Sequence, residues 1–69
     1  MEMENVESSN LAAVGYDEDS STMQVEFNNG SIYQYFDVPE HVFEELRDAD
    51  SVGRYFNANV KGVYRYSRV

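Results

Sequence analysis

The stretch NNGSIYQYFDVPEHVFEEL, residues 28–46, decides the fold, because a turn, a strand and a helix start follow one another within it. Its opening Asn-Asn-Gly, residues 28–30, tolerates the positive φ angles that a hairpin turn requires. The next six residues, 31–36, are predicted to form the returning strand. Alternate side chains of a strand point to opposite faces, so Tyr33 and Tyr35 share one face. The stretch therefore predicts a hairpin that leads directly into a helix.

The helix start is indicated by Pro39, whose fixed φ suits a first helical turn, and by the capping-box spacing of Asp37 and Glu40. The predicted helix covers residues 39–48. Ser51 offers a second N-cap, and apolar residues recur at helical spacing after it. The sequence thus predicts two short helices in succession.

Two strands are predicted before the hairpin turn. Residues 22–27 alternate between apolar and polar, which is typical of a half-buried strand, and residues 11–16 favour a shorter one. The C-terminal VYRYSRV is interpreted as a last strand, a short extension or a tail. The expected fold is therefore an α+β domain, with a three-stranded antiparallel meander (11–16, 22–27, 31–36) packed against two short helices.

The tyrosine face of the third strand is expected to meet the helices. On the other face Gln34 lies between Ile32 and Phe36, and burying an unpaired amide costs about 1–3 kcal/mol. We expect Phe43 and Leu46 to cover the tyrosine rings, and one tyrosine hydroxyl to bond near the junction of the helices. The rest of the predicted core follows from the apolar periodicity: Leu11, Val14, Met23, Val25, Phe27, Val42, Phe43, Leu46, Phe56 and Val60.

The chain is acidic, with five basic and thirteen acidic residues and a formal net charge of -8. This charge argues against a general affinity for nucleic acid, because phosphate binding depends on Lys and Arg. The charges are unevenly distributed, since no basic residue precedes Arg47 and no acidic residue follows Asp50. Two interpretations are open: attraction between the halves within the fold, or a basic C-terminal surface for an anion or an acidic partner.

The residue types that catalysis and metal binding require are not clustered in the sequence. His41 is the only histidine, and no serine or cysteine is placed beside it as a nucleophile. The acidic run at residues 17–19 lacks the alternating oxygen ligands and the central glycine of a calcium loop. We therefore expect a surface histidine, a solvated turn, and a protein that is not an enzyme and has neither cofactor nor metal.

Two segments are candidates for binding. Ser51 and Gly53 at the second helix start lie beside Arg54, where free backbone amides attract anions, although an ordinary N-cap with close helix packing explains them equally. The segment KGVYRYSR interleaves cations with tyrosines, a composition suited to stacking bases and neutralising phosphates, but many edge strands share it. The candidate nucleic-acid or anion-binding residues are Arg54, Lys61, Tyr64, Arg65, Tyr66 and Arg68.

The first nine residues are acidic and lack periodicity, which predicts a flexible N-terminus (1–9) ahead of a single domain (10–69). The absence of cysteine suits a reducing cytosol, and no apolar run reaches the roughly 20 residues of a membrane helix. The N-terminus is acidic where a signal peptide would be basic. We expect a cytoplasmic protein with no membrane association.

Several short motifs keep a recognisable order and spacing along the chain. They are SSN at 8–10, GYD at 15–17, Phe27 with Gly30, YQY at 33–35, VP at 38–39, and ADS at 49–51 with Gly53 and Phe56. From Ser8 to about Val69 the chain resembles the KTSC family, short domains named for their occurrence at the C-terminus of some lysyl-tRNA synthetases. The resemblance implies a small α+β domain, suggests RNA binding and supplies no catalytic residues.

The expected function is that of a small non-enzymatic binding module. RNA or another anionic ligand is the leading partner, through the basic and aromatic C-terminal surface. The alternative is a protein-interaction module, including one that associates with itself, with no role in nucleic-acid binding.

Overall fold

The computed structural model describes residues 1–69 and contains one five-stranded antiparallel sheet with two helices. The strands lie in the sheet in the order in which they occur along the chain. Their bounds, with those of the helices, are β1 (Met3–Asn5), β2 (Leu11–Asp17), β3 (Thr22–Phe27), β4 (Ile32–Tyr35), α1 (Glu40–Asp48), α2 (Val52–Asn59) and β5 (Tyr66–Arg68).

The central hairpin is confirmed. β3 pairs with β4 so that Val25 lies opposite Tyr33 and Met23 opposite Tyr35. Gly30 in the connecting turn has a φ of 90°, a conformation that glycine adopts without steric cost. Both predicted helices are also present, and each is too short and too polar to cross a membrane.

The sheet has five strands where the sequence predicted three. β1 lies within the N-terminal segment that was expected to be flexible, and it pairs with β2 so that Met3 lies opposite Gly15. β5 occupies the other edge, with Tyr66 opposite Tyr35 of β4. The C-terminal segment therefore includes a strand, and both edge strands are only three residues long. Such short strands are too brief for a period-2 pattern to be read.

The two helix starts differ. The predicted capping box at α1 is wrong, because Pro39 occupies the N-cap position and no side chain caps the helix. Asp37 instead adopts a left-handed φ of 57° and accepts a hydrogen bond from Arg65. At α2 the prediction is confirmed, since the Ser51 hydroxyl accepts a hydrogen bond from the Arg54 amide at 3.3 Å.

The core lies between the helices and the sheet face that carries the tyrosines. Tyr35 is buried, whereas Gln34 on the opposite face bonds to Gln24 at 2.9 Å. The ten residues predicted for the core are buried except for Phe27, which packs partly buried against it. The core also includes Val38 and Val52, which were not among the residues predicted for it. The expected orientation of β4 is therefore correct.

Candidate functional site

An open cleft of about 550 Å³ lies at the β5 end of the core. Its floor is the helix-facing side of β4 and β5. One wall comes from the C-terminal half of α2 and the turn that follows, and the other from residues 9–11 and the β3–β4 turn.

A cluster of aromatic rings forms the floor of the cleft. The Tyr33 ring lies 5.5 Å from Phe27 and 5.6 Å from Tyr66, measured between ring centroids. Tyr35 lies 5.6 Å from Phe56 and 5.7 Å from Tyr66. Period-2 alternation on β4 and the pairing of Tyr35 with Tyr66 bring these rings to one face. Tyr66 is the exposed ring of this cluster, at 60%, whereas Tyr35 is 5% exposed.

Tyr35 is the most buried of the cleft tyrosines, with 5% of its surface exposed. Burial, and then the neighbouring Tyr33 and Tyr66 hydroxyls, raise the pKa of Tyr35 to about 12. Its hydroxyl therefore stays protonated and able to donate at neutral pH.

The expected surroundings of the tyrosine pair are partly wrong. The Tyr35 ring packs against Phe56 of α2, whereas Phe43 stacks on Tyr16 at 5.5 Å. Neither hydroxyl of the pair has a hydrogen-bond partner at the helix junction. The hydroxyl bonded near α1 and α2 belongs to Tyr55, which donates to Glu45 at 2.9 Å.

The polar lining of the cleft is neutral apart from one lysine. Lys61 is the only charged residue among the fourteen that line it, and no carboxylate is present. The Asn28 amide donates to the Ser8 carbonyl at 3.1 Å. By contrast, the side-chain amides of Asn10 and Asn57 have no partner within the protein. In a chain with a net charge of -8, this cleft is a local exception to the acidic surface.

The predicted basic and aromatic residues do not form one surface. Lys61 and Tyr66 line the cleft, and Arg68 lies at its edge, where it donates to Ser31 at 3.2 Å. Arg65 points elsewhere, with its guanidinium 2.9 Å from the Asp37 carboxylate. Tyr64 packs partly buried against the core.

The second predicted anion site lies in a polar groove beside the start of α2, which adjoins the cleft and shares Ser9, Asn10 and Asn57 with it. Ser51, Gly53 and Arg54 line this groove, and so do the carboxylates Glu7 and Asp50. Those carboxylates oppose an anionic ligand, and the Ser51 hydroxyl is already used to cap α2. The arrangement favours the interpretation of Ser51 as an ordinary N-cap.

A family model described as KTSC domain matches residues 7–69. The chain belongs to the KTSC domain family. A crystal structure of a KTSC domain protein from Yersinia pestis superposes with a TM-score of 0.92 and 32% identity, covering 99% of this chain and 96% of that one. An uncharacterized protein of Stutzerimonas stutzeri is 43% identical over 65 residues, which are 93% of this chain and 92% of the relative.

A KTSC domain also occurs within longer proteins. A lysine–tRNA ligase of Nostoc sp. is 43% identical over 63 residues, which are 91% of this chain but 11% of the ligase. The similarity therefore concerns one small region of that enzyme.

Sequence reasoning missed several residues of the cleft in this KTSC domain. Asn28 was predicted only as a turn residue, Asn57 was not among the candidate site residues, and Phe27 and Phe56 were assigned only to the core. Asn10 appeared only as the last residue of the SSN motif. These residues come from distant parts of the chain, so only the motif offered a signal.

Proposed function

We propose that this KTSC domain is a non-enzymatic module that binds single-stranded RNA in the cytoplasm. The observation that carries the proposal is the cleft, which combines an aromatic floor with free amides and Lys61, and lacks any carboxylate. Proteins recognise single-stranded RNA by stacking bases on aromatic side chains and by neutralising phosphates. The related region in proteins named lysine–tRNA ligases supports RNA as the ligand.

The charge distribution favours this edge of the molecule for RNA. Lys61 and Arg68 flank the aromatic floor, and no carboxylate lines the cleft, whereas Glu7 and Asp50 line the adjoining groove. A phosphate is therefore attracted to the side of the cleft that carries Lys61 and Arg68. With few cations available, the affinity should be modest and should depend on contacts to bases.

The test is fluorescence anisotropy of a labelled single-stranded RNA titrated with protein at several salt concentrations. The association constant should fall with salt, and Lys61→Ala and Arg68→Ala should each reduce the log–log slope by about 0.7. Arg47→Ala is the matched control, because its guanidinium is held by Asp48 and Glu4 on α1 and β1. Absence of binding, or binding that salt does not weaken, contradicts the proposal.

A protein partner is the second candidate, and the exposed apolar residues around β5 favour it. Val63 and Tyr66 are each 60% exposed and Val69 is 72% exposed, beside a sheet edge with unpaired backbone groups. Such an edge can accept an added strand from a partner or from a second copy. In that case Tyr33→Ala should weaken binding more than Lys61→Ala or Arg68→Ala, and salt should matter less.

A further inference from the structure

The Tyr35 hydroxyl indicates what kind of ligand the cleft accepts. The residue is 5% exposed, yet its hydroxyl makes no hydrogen bond within the protein. A buried tyrosine hydroxyl normally finds a partner, because leaving it unpaired costs free energy. No fully inaccessible polar side-chain atom of the protein lacks a partner. The Tyr35 hydroxyl therefore remains accessible, and the cleft that its ring lines is where a ligand can reach it.

This second proposal rests on the proposed function and specifies what the cleft itself binds. We propose that the cleft takes one unpaired nucleobase of the RNA. The base ring packs against Tyr33 and Tyr66, and the Tyr35 hydroxyl bonds to an edge of the base. The free amides of Asn10 and Asn57 bond to its remaining donors and acceptors.

The cleft has room for a base, and its chemistry suits one. Its volume of about 550 Å³ lies within the range of about 300–1,000 Å³ found for small-molecule sites. An asparagine side chain both donates and accepts, so it can match the mixed edge of a base. A base in a duplex has its faces stacked and its pairing edge occupied, so the cleft selects unpaired RNA.

The phosphates of the RNA bind at the rim of the cleft, outside its aromatic floor. Lys61 is the only cation among the lining residues, and Arg68 lies just outside. One or two phosphates adjoining the bound base can be neutralised there, while the floor stays neutral. Affinity should therefore depend more on the base than on the length of the backbone.

The experiment compares three labelled probes by anisotropy: a single-stranded RNA, the same sugar–phosphate chain without bases, and the corresponding duplex. Because stacking on aromatic residues contributes per base, the single strand should bind about fivefold to a hundredfold more tightly than the base-free chain. The duplex should bind no better than the base-free chain.

Tyr35→Phe tests the hydroxyl while it keeps the ring and the packing. Loss of one neutral hydrogen bond should weaken binding of the single strand about threefold to tenfold. Tyr55→Phe is the matched control, because it removes a hydroxyl that bonds to Glu45 outside the cleft. It should leave the affinity unchanged. Asn57→Ala, an exposed site, provides a second test with little effect on folding.

The outcomes separate the two proposals. If the base-free chain binds as tightly as the RNA, or if Tyr35→Phe and Asn57→Ala both leave the affinity unchanged, the cleft does not hold a base, although RNA binding on charge alone stands. If none of the three probes binds, both proposals fail. Preference for the base-bearing strand, weakened by Tyr35→Phe and not by Tyr55→Phe, supports both.

Discussion

The ion pair between Asp37 and Arg65 lies outside the cleft. Asp37 takes a left-handed φ of 57°, which aspartate tolerates better than most residues. In that position its carboxylate binds Arg65 at 2.9 Å on the surface. An exposed pair of this kind contributes about 0–1 kcal/mol, so it adds little to stability. Arg65 also lies over the Phe36 ring, 5.8 Å from its centroid, which leaves Lys61 and Arg68 as the cations beside the cleft.

The ionisation of Tyr35 provides a test of its burial. Burial is the main reason that its pKa rises to about 12, compared with about 10 for an exposed tyrosine. Folding favours the neutral form of Tyr35. The contribution of this group to the free energy of unfolding is therefore complete below about pH 10 and is lost as the pH rises through about 12. Ultraviolet titration of phenolate should show a late component that Tyr35→Phe reduces. Tyr55, whose pKa is also raised to about 12, supplies the remainder.

The same titration can contradict this description. If Tyr35→Phe leaves the late component unchanged while Tyr55→Phe removes it completely, burial does not raise the pKa of Tyr35.

Among the secondary-structure elements, those with local signals were predictable from the sequence. The hairpin was predicted correctly because Asn-Asn-Gly and the alternation of β3 are read within a few residues. β1 and β5 were harder, because three residues carry no period and because both strands pair with residues outside their own segment, which for β5 lie more than thirty positions away. The cleft was not predicted for the same reason. Its floor depends on the register of Tyr35 opposite Tyr66, which the sequence pattern does not specify.

Gly15 provides a test of the unexpected β1 strand. A Cβ at this position would lie 2.8 Å from the Glu2 carbonyl and 2.6 Å from the Met3 sulfur. Gly15→Ala should therefore displace β1, with a cost of about 1–3 kcal/mol from overpacking. Hydrogen exchange should show faster exchange of the Val6 amide, which donates to Ala12 at 3.1 Å.

The control for this experiment is Gly30→Asn. A Cβ at Gly30 meets nothing within 4 Å, and asparagine accepts a positive φ more readily than other residues. It should leave the protection of Val6 intact. If Gly15→Ala also leaves that protection intact, β1 is not held against β2 as the structure shows.

For the whole molecule, charge repulsion is the main electrostatic effect. Thirteen acidic residues face five basic ones, and there are three ion pairs, of which two share Arg47. Most carboxylates therefore have no cationic partner. The pKa of Glu40 is raised by a hydrogen bond with Glu18 and by the charge of that residue. Like charges held close together disfavour the compact state, and salt screens them.

Salt should therefore affect stability and RNA binding in opposite directions. Raising the salt concentration weakens a phosphate contact but relieves the repulsion among carboxylates, so Tm should rise. A gain of about 1 kcal/mol corresponds to about 4–8 °C for a domain of this size.

Glu18→Gln removes one member of the repelling pair, so it should raise Tm at low salt and reduce the salt effect. Asp48→Asn is the matched control, because Asp48 is paired with Arg47 at 3.0 Å and its loss should lower Tm slightly. Calorimetry at low and high salt measures each value, and a Tm that falls with salt would show that ion pairs outweigh the repulsion.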